Sequence, residues 1–374
     1  MTNVPILILG AGPAGLALGY ELSQRGLSYL ILDKSSEVGS TFYSMTDSTE
    51  YGPWVNNVLH GSPVPVTKLF ARTTRSEYAR YLSEYRNQHE LAVQSNTIVL
   101  SARKTDRGYE VETDRGMFSC EVLVNATGYY SNPFIPDFPG LEESDLIQLH
   151  SAQYRYPTTI SDRLGKPTGK ILIVGCRLSA GELMEELHKM GHEIHISHRE
   201  EIKYWPSPVE EALLSPFNMA WEHIAAKINA PKPPGLMPRL RRGFQKSLLD
   251  RGIVPTHPNI KEIRGREVEF EDGTSESFEV ILFCTGYRAA LSHLWPLLDG
   301  NKPEVSKLES TEHQDLFFMG YENSRNIRSQ FLRGIRDDAR YLAELLKSRK
   351  RATGTPLVKK EAPQLVPKPS GVTA

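Results

Sequence analysis

One short plan, an unbroken apolar run interrupted by closely spaced glycines, occurs twice in this chain and restricts it to a small set of folds. Pro5–Leu9 (PILIL) leads into Gly10-Ala11-Gly12-Pro13-Ala14-Gly15, then into a stretch carrying Leu16, Leu18, Tyr20 and Leu22 that stops near Gly26. A continuous apolar run bounded by glycine suits a strand buried on both faces of a parallel sheet. A second strand, Tyr29–Leu32, ends at Asp33. Lys170–Val174 (KILIV) repeats the opening and is followed by Gly175-Cys176-Arg177-Leu178-Ser179-Ala180. A helix then runs through Met190, and a strand Glu193–Ser197 ends at His198-Arg199. The ends of the two segments also match. Each passes through a hairpin with a glycine-containing turn, then a buried strand that stops at Thr-Gly-Tyr, residues 127–129 and 285–287.

Two features recurring in the same order argue for two homologous nucleotide-binding units. The expected fold class is α/β, with two Rossmann-like dinucleotide-binding domains, the second inserted into the first. The chain returns to the first unit at Leu316–Tyr321, and a helix follows with Phe331, Leu332, Ile335, Ala339, Leu342 and Leu346 on one face. The expected boundaries are 1–155 with 288–349 for the first unit and 156–287 for the second, with a proline-rich helical insert at 204–258. Residues 350–374, rich in Lys, Pro and small side chains, read as a disordered tail.

The first glycine turn carries specific chemistry. Gly10 permits the tight turn, Gly12 lets the backbone approach a pyrophosphate, and Gly15 allows helix to pack on strand. The helix N-terminus, starting at Pro13 and Ala14, offers free N–H groups and the positive end of its dipole to the phosphates. Asp33, 18 residues beyond Gly15, stands where a carboxylate meets the ribose hydroxyls of an adenosine, with Lys34 beside it. In the second turn Arg177 occupies the middle-glycine position. Either its side chain meets the pyrophosphate or nucleotide binding there is weakened. Ser179 and Ala180 open the helix, and Ser197 and Arg199 end the next strand where the first unit has Asp33. A cation there suits the 2′-phosphate of NADPH, so NADPH is expected over NADH.

Composition removes several other classes. The 374 residues suggest roughly two domains of about 150 residues each. With 44 Lys+Arg against 45 Asp+Glu, no basic surplus favours nucleic acid. The three cysteines, Cys120, Cys176 and Cys284, include no CxxC pair, which excludes a disulfide scaffold and a closely spaced redox dithiol. This usage suits a reducing cytoplasmic compartment. No uninterrupted run of about 18 apolar residues exists, so no membrane span is expected. Val4–Leu22 lacks a basic start and an A-x-A-like site, and reads as strand entering helix rather than as a signal peptide. No metal site is expected.

On these residues the chain resembles a flavin-containing monooxygenase of the compact bacterial and plant YUCCA-like type. The markers are GAGPAG at 10–15, Asp33 with Gly39, SEYARYLSEY at 76–85, ATGYY at 126–130, HSAQY at 150–154, SHR at 197–199 and CTGY at 284–287. The resemblance spans about residues 3 to 346. It implies FAD on the first unit, contacted also by Thr41, Phe42, Thr127, Gly128 and Gly320, and NADPH on the second, with Thr285 and Gly286 nearby. It further implies that a flavin hydroperoxide formed from O2 oxygenates a small-molecule substrate at nitrogen, sulfur or a carbonyl. Asn56 and Asn57 are the two candidates for a hydrogen bond to the oxygenated flavin, and sequence alone does not choose between them. His150, Tyr154 and Tyr204 are candidates for the cleft between the units, and a charge near zero would permit a homodimer.

The chain also departs from the family pattern. Gly39-Ser40-Thr41-Phe42 stands in place of Gly-Gly-Thr-Trp. Ser144 and Leu146 replace the Phe and Gly of F-x-G-x-x-x-H-S, and Arg177-Leu178 replaces Gly-Asn in the second turn. These departures keep open a flavin reductase or oxidase that inserts no oxygen. A non-catalytic FAD-binding protein is the third reading, and it would need only one of the two units.

Overall fold

The computed structural model describes residues 1–43, 51–62, 64–205, 221–222, 224–225, 228 and 239–352. Most of the 204–258 insert and residues 353–374 of the tail expected from sequence lie outside them.

The strand Thr2–Leu9 lies at the centre of the first sheet. It runs parallel to Leu30–Leu32 on one side, with Leu7 opposite Leu30, and to Gly116–Asn125 on the other, with Leu9 opposite Asn125. Val93–Gln94 extends the sheet beyond Leu30–Leu32, and Leu316–Phe318 extends it beyond Gly116–Asn125. Alternation along the central strand explains its apolar run. Ile6 and Ile8 join Leu16, Leu22, Ile335, Ala339, Leu342 and Leu346 beneath the helices Pro13–Gln24 and Leu332–Ala352. Leu7 and Leu9 meet Val111, Phe118, Leu294 and Phe318 on the opposite face. The last helix continues two residues past Lys350, into the stretch that the sequence analysis reads as tail.

The SEYARYLSEY segment lies in the helix Arg75–Gln88. Thr74 caps it, accepting from the Glu77 amide while the Glu77 carboxylate accepts from the Thr74 amide. Tyr78, Tyr81 and Tyr85 fall on one buried stripe, and each phenol reaches the backbone of a single neighbouring segment. Tyr78 donates to the Asn57 carbonyl (3.1 Å), Tyr81 accepts from the Leu59 amide (2.8 Å), and Tyr85 donates to the His60 carbonyl (2.7 Å). Buried phenols need such partners, and here they fix the wall that carries Asn56 and Asn57.

The second sheet is wholly parallel, in the order Thr256–His257, Glu193–Ser197, Lys170–Val174, Val280–Phe283, Ile147–His150. The helix Leu178–Lys189 covers one face, and a three-stranded antiparallel sheet, Ile260–Arg264, Glu267–Phe270 and Ser275–Ser277, covers the other. A boundary at residue 155 therefore falls too late. Ile147–His150 pairs with Val280–Phe283, and Phe138, Leu141 and Leu146 pack with Leu172, Ile260 and Phe283 in the second core. Two connecting segments join the units side by side. Phe134 N–H donates to Gly286 O, Arg288 N–H to Asn132 O, and Ala290 N–H to Gly128 O.

Candidate dinucleotide-binding and oxidoreductase site

The two glycine turns are built alike. Gly10 N–H donates to Leu32 O (2.7 Å), and Gly175 N–H donates to Ser197 O (2.9 Å). Both glycines hold a positive φ, +103° and +123°, and a Cβ on either would come within 2.6 Å of a carbonyl on the neighbouring strand, that of Ala126 or Cys284. Only glycine fits there. Gly15 is confined as well, since a Cβ would lie 2.0 Å from Gly10 O. Gly12 is different, because a Cβ on it would meet nothing within 4 Å. Its open side faces the cleft, a bare stretch of backbone ahead of the helix N-terminus.

That cleft has a volume of about 640 Å³ and is lined by Gly10, Gly12, Pro13, Ala14, Asp33 and Lys34 at one end. Asp33 is fixed by two backbone donors, the Ala11 amide on Oδ2 (2.6 Å) and the Ser35 amide on Oδ1 (2.8 Å). Each carboxylate oxygen keeps accepting capacity for a hydroxyl. Thr41, Phe42, Asn56, Asn57, Thr127, Gly128 and Gly320 continue the lining. Phe42 is buried edge-on against Tyr78, with centroids 5.0 Å apart. Gly39 does not reach the cleft lining. Its φ of +74° and close approach to the Ala79 backbone pack the Ser40–Tyr43 helix onto Arg75–Gln88. The Thr127 hydroxyl lies 2.7 Å from Ala290 O and 3.0 Å from Asn125 Oδ1, tied to the connecting segment.

The structure separates the two asparagines. Asn57 is buried and its amide donates to Gly52 O (2.8 Å). Asn56 is half-buried on the cleft wall, and its side chain makes no hydrogen bond among the described residues. Three lining residues were not legible in the motifs. Gln330 Nε2 is buried with no hydrogen-bond partner, which a bound group in the cleft would supply. His293 Nε2 lies 2.9 Å from Asn125 Oδ1, and burial pushes its imidazole down to about 4. Arg333 reaches the lining from the start of the last helix. A bare backbone cradle, a fixed carboxylate and an orphaned amide in one cleft fit a dinucleotide such as FAD.

In the second unit the glycine turn keeps its shape, but its side chains have other partners. Arg177, at the helix N-cap, pairs with Glu200 (3.1 Å), and Arg199 approaches the same carboxylate (3.8 Å) while its side chain remains 74% exposed. Ser179 lies in the first helical turn, and Ala180 is buried in the core below it. The buried Ser197 hydroxyl donates to Pro258 O (2.7 Å) and is turned to that carbonyl in this structure. Thr285 likewise donates to Phe134 O, and Gly286 O accepts from His150 Nε2 (3.0 Å). Both residues hold the connecting segments together. Tyr154 is wholly buried in the second core, not in a cleft, and Tyr204 bridges to Leu240.

Comparison with known proteins agrees with this geometry. Residues 7–320 match the family described as pyridine nucleotide-disulphide oxidoreductase. An oxidoreductase of Geobacillus kaustophilus described as CzcO-like is 25% identical over 350 residues, covering 91% of this chain and 97% of that protein. Indole-3-pyruvate monooxygenase YUCCA6 of Arabidopsis thaliana is 25% identical over 325 residues, 76% of each chain. The fold is that of a flavin-containing monooxygenase from Stenotrophomonas maltophilia, with a TM-score of 0.75, 23% identity, and coverage of 93% of this chain and 99% of that one. No described helix is long and apolar enough to cross a membrane. The α/β architecture expected from the repeated glycine turns is the one observed, and the chain belongs to the pyridine nucleotide-disulphide oxidoreductase family as an FAD-dependent oxidoreductase of the two-dinucleotide-domain type.

Proposed function

We propose that the chain is an NADPH- and FAD-dependent monooxygenase that transfers one oxygen atom of O2 to a small molecule at nitrogen, sulfur or a carbonyl. One observation carries the reading: the adenosine-end residues line the same cleft as Asn56, whose amide makes no hydrogen bond among the described residues, and no described cysteine lines it. A reductase working through a closely spaced dithiol is disfavoured, since the three cysteines here are free and sit apart from the cleft lining. Likeness to flavin and indole-3-pyruvate monooxygenases supports the same choice.

When bound, FAD supplies the redox chemistry and NADPH the reducing equivalents. The Gly10–Gly15 turn would hold the pyrophosphate of FAD, and Asp33 would accept from its ribose hydroxyls. Asn56 would donate a hydrogen bond at the reacting end. Phe42, Met319 and Phe331 line the cleft with apolar surface and restrict water. His293 stays neutral and is held through Asn125. On the second unit Arg199 would meet the 2′-phosphate of NADPH.

The pairing of Arg177 with Glu200 favours a second reading, a reductase or oxidase with a loosened nucleotide grip. Isotopically labelled O2 separates the two. A monooxygenase places one labelled atom in an oxygenated product from a panel of amines, thioethers and ketones. Recovery of all consumed O2 as hydrogen peroxide, with every member of the panel unchanged, overturns the proposal.

A further inference from the structure

Away from the cleft, on the face of the second sheet covered by the antiparallel sheet, three potential ligand atoms converge. His195 Nδ1 lies 2.8 Å from His257 Nε2 and 3.3 Å from Glu276 Oε2, and His257 Nε2 lies 3.6 Å from the same oxygen. Each comes from a different strand: Glu193–Ser197, Thr256–His257 and Ser275–Ser277. His195 alternates with Ile194 and Ile196, which enter the helix-covered core, so its ring enters the opposite layer.

We propose that His195, His257 and Glu276 form a binding site for one divalent transition-metal ion of the zinc class. Tetrahedral ligands at about 2.0–2.2 Å from a metal stand about 3.3–3.5 Å from one another. Two edges of the observed triangle are already near that spacing, and the two imidazoles need to part by only about 0.5 Å. Two imidazoles and one carboxylate are a donor set suited to zinc and its neighbours rather than to magnesium or calcium.

The surrounding residues orient these ligands. His195 Nε2 faces Glu193 Oε1 (3.2 Å), so its N–H points there and its Nδ1 lone pair points into the triangle. Lys170 holds the other oxygen of Glu276 and also meets Glu193 (2.9 Å). One ammonium against two carboxylates leaves the cluster negative. Phe270 stacks on His257 at 4.2 Å between centroids, and Phe278 meets His195 edge-on at 5.2 Å, which fixes both rings. Glu276 is partly exposed, so the ion has an entry path and room for a water as fourth ligand. The ion would clamp the antiparallel sheet to the parallel one, outside the lining of the cleft, as a structural site.

The test uses untagged holoprotein, cleared of metal with a chelator and titrated with Zn²⁺ by calorimetry, with bound FAD monitored by absorbance. The expected result is one Zn²⁺ per chain, a raised Tm and no response to Mg²⁺. Glu276→Gln and, separately, His257→Asn should weaken binding at least about tenfold while FAD is retained, and Glu193→Gln, a positioning change, should weaken it by about tenfold. A metal-free melt and far-UV circular dichroism matching wild type, beside retained FAD, show that both units of either variant are folded, so loss of binding is then not loss of structure. Failure of the wild-type chain to bind Zn²⁺, or equal binding by wild type and both ligand variants, overturns the proposal.

Discussion

Glu200 pairs with Arg177 and stands 3.8 Å from Arg199, the two arginines proposed to meet a nucleotide on the second unit. It therefore competes with any phosphate there. Arg199→Ala should raise KM for NADPH by about tenfold or more and leave KM for NADH nearly unchanged, as loss of a charge-assisted contact predicts. Equal changes for both would remove Arg199 from recognition of the 2′-phosphate. Glu200→Gln should lower the NADPH KM, because both guanidiniums are freed, and steady-state kinetics would show it directly. His293 gives a second residue-scale expectation. Its folded value of about 4 lies below that of free imidazole, so the unfolded chain takes up the proton first. The stability it contributes is present above about pH 6.5 and is lost as pH falls toward 4, by up to about 3 kcal/mol. Burial pushes His150 and His257 in the same direction. Thermal melts from about pH 7 down to about 4 should therefore flatten in His293→Gln. An unchanged slope would contradict the assignment.

At the scale of elements, the first glycine turn makes a paired prediction. Gly15→Ala drives a methyl against Gly10 O and should cost about 3 kcal/mol in stability. Gly12→Ala meets no protein atom, so its melt should match that of wild-type apoprotein while FAD retention on gel filtration falls. Comparable destabilisation by both would mean that Gly12 serves packing and not a phosphate. The tyrosine stripe of Arg75–Gln88 shows how much of this was legible. SEYARYLSEY stood out in the sequence only as a marker of the resemblance, and the structure shows it as a helix capped by Thr74 and Glu77. That its three phenols would grip residues 57–60 was not legible, because those contacts are 21 to 25 residues away in sequence. Tyr85→Phe should lose about 1 kcal/mol, read from its melt, through the freed His60 carbonyl.

At the scale of the whole molecule, the repeated plan was legible because each strand–turn–helix unit is local in sequence, and parallel strands carry their burial in a continuous apolar run. The division between the units was less so. Ile147–His150 joins a strand more than a hundred residues later, and no local pattern announces that pairing. Gln330 and His293 reach the cleft by the same kind of return. Ser197 and Thr285 show the opposite failure, since motif position suggested a ligand while their hydroxyls hold Pro258 and Phe134 carbonyls. The central claim, that the cleft carries out oxygen insertion, rests on all these parts acting together. It is tested most directly by reducing the yellow holoprotein anaerobically with NADPH, mixing it rapidly with O2 and following absorbance. The account predicts a transient spectrum distinct from oxidised and from reduced flavin, shortened in Asn56→Ala and preserved in Asn57→Ala variants that retain FAD. Direct return to the oxidised spectrum with stoichiometric peroxide release would contradict it.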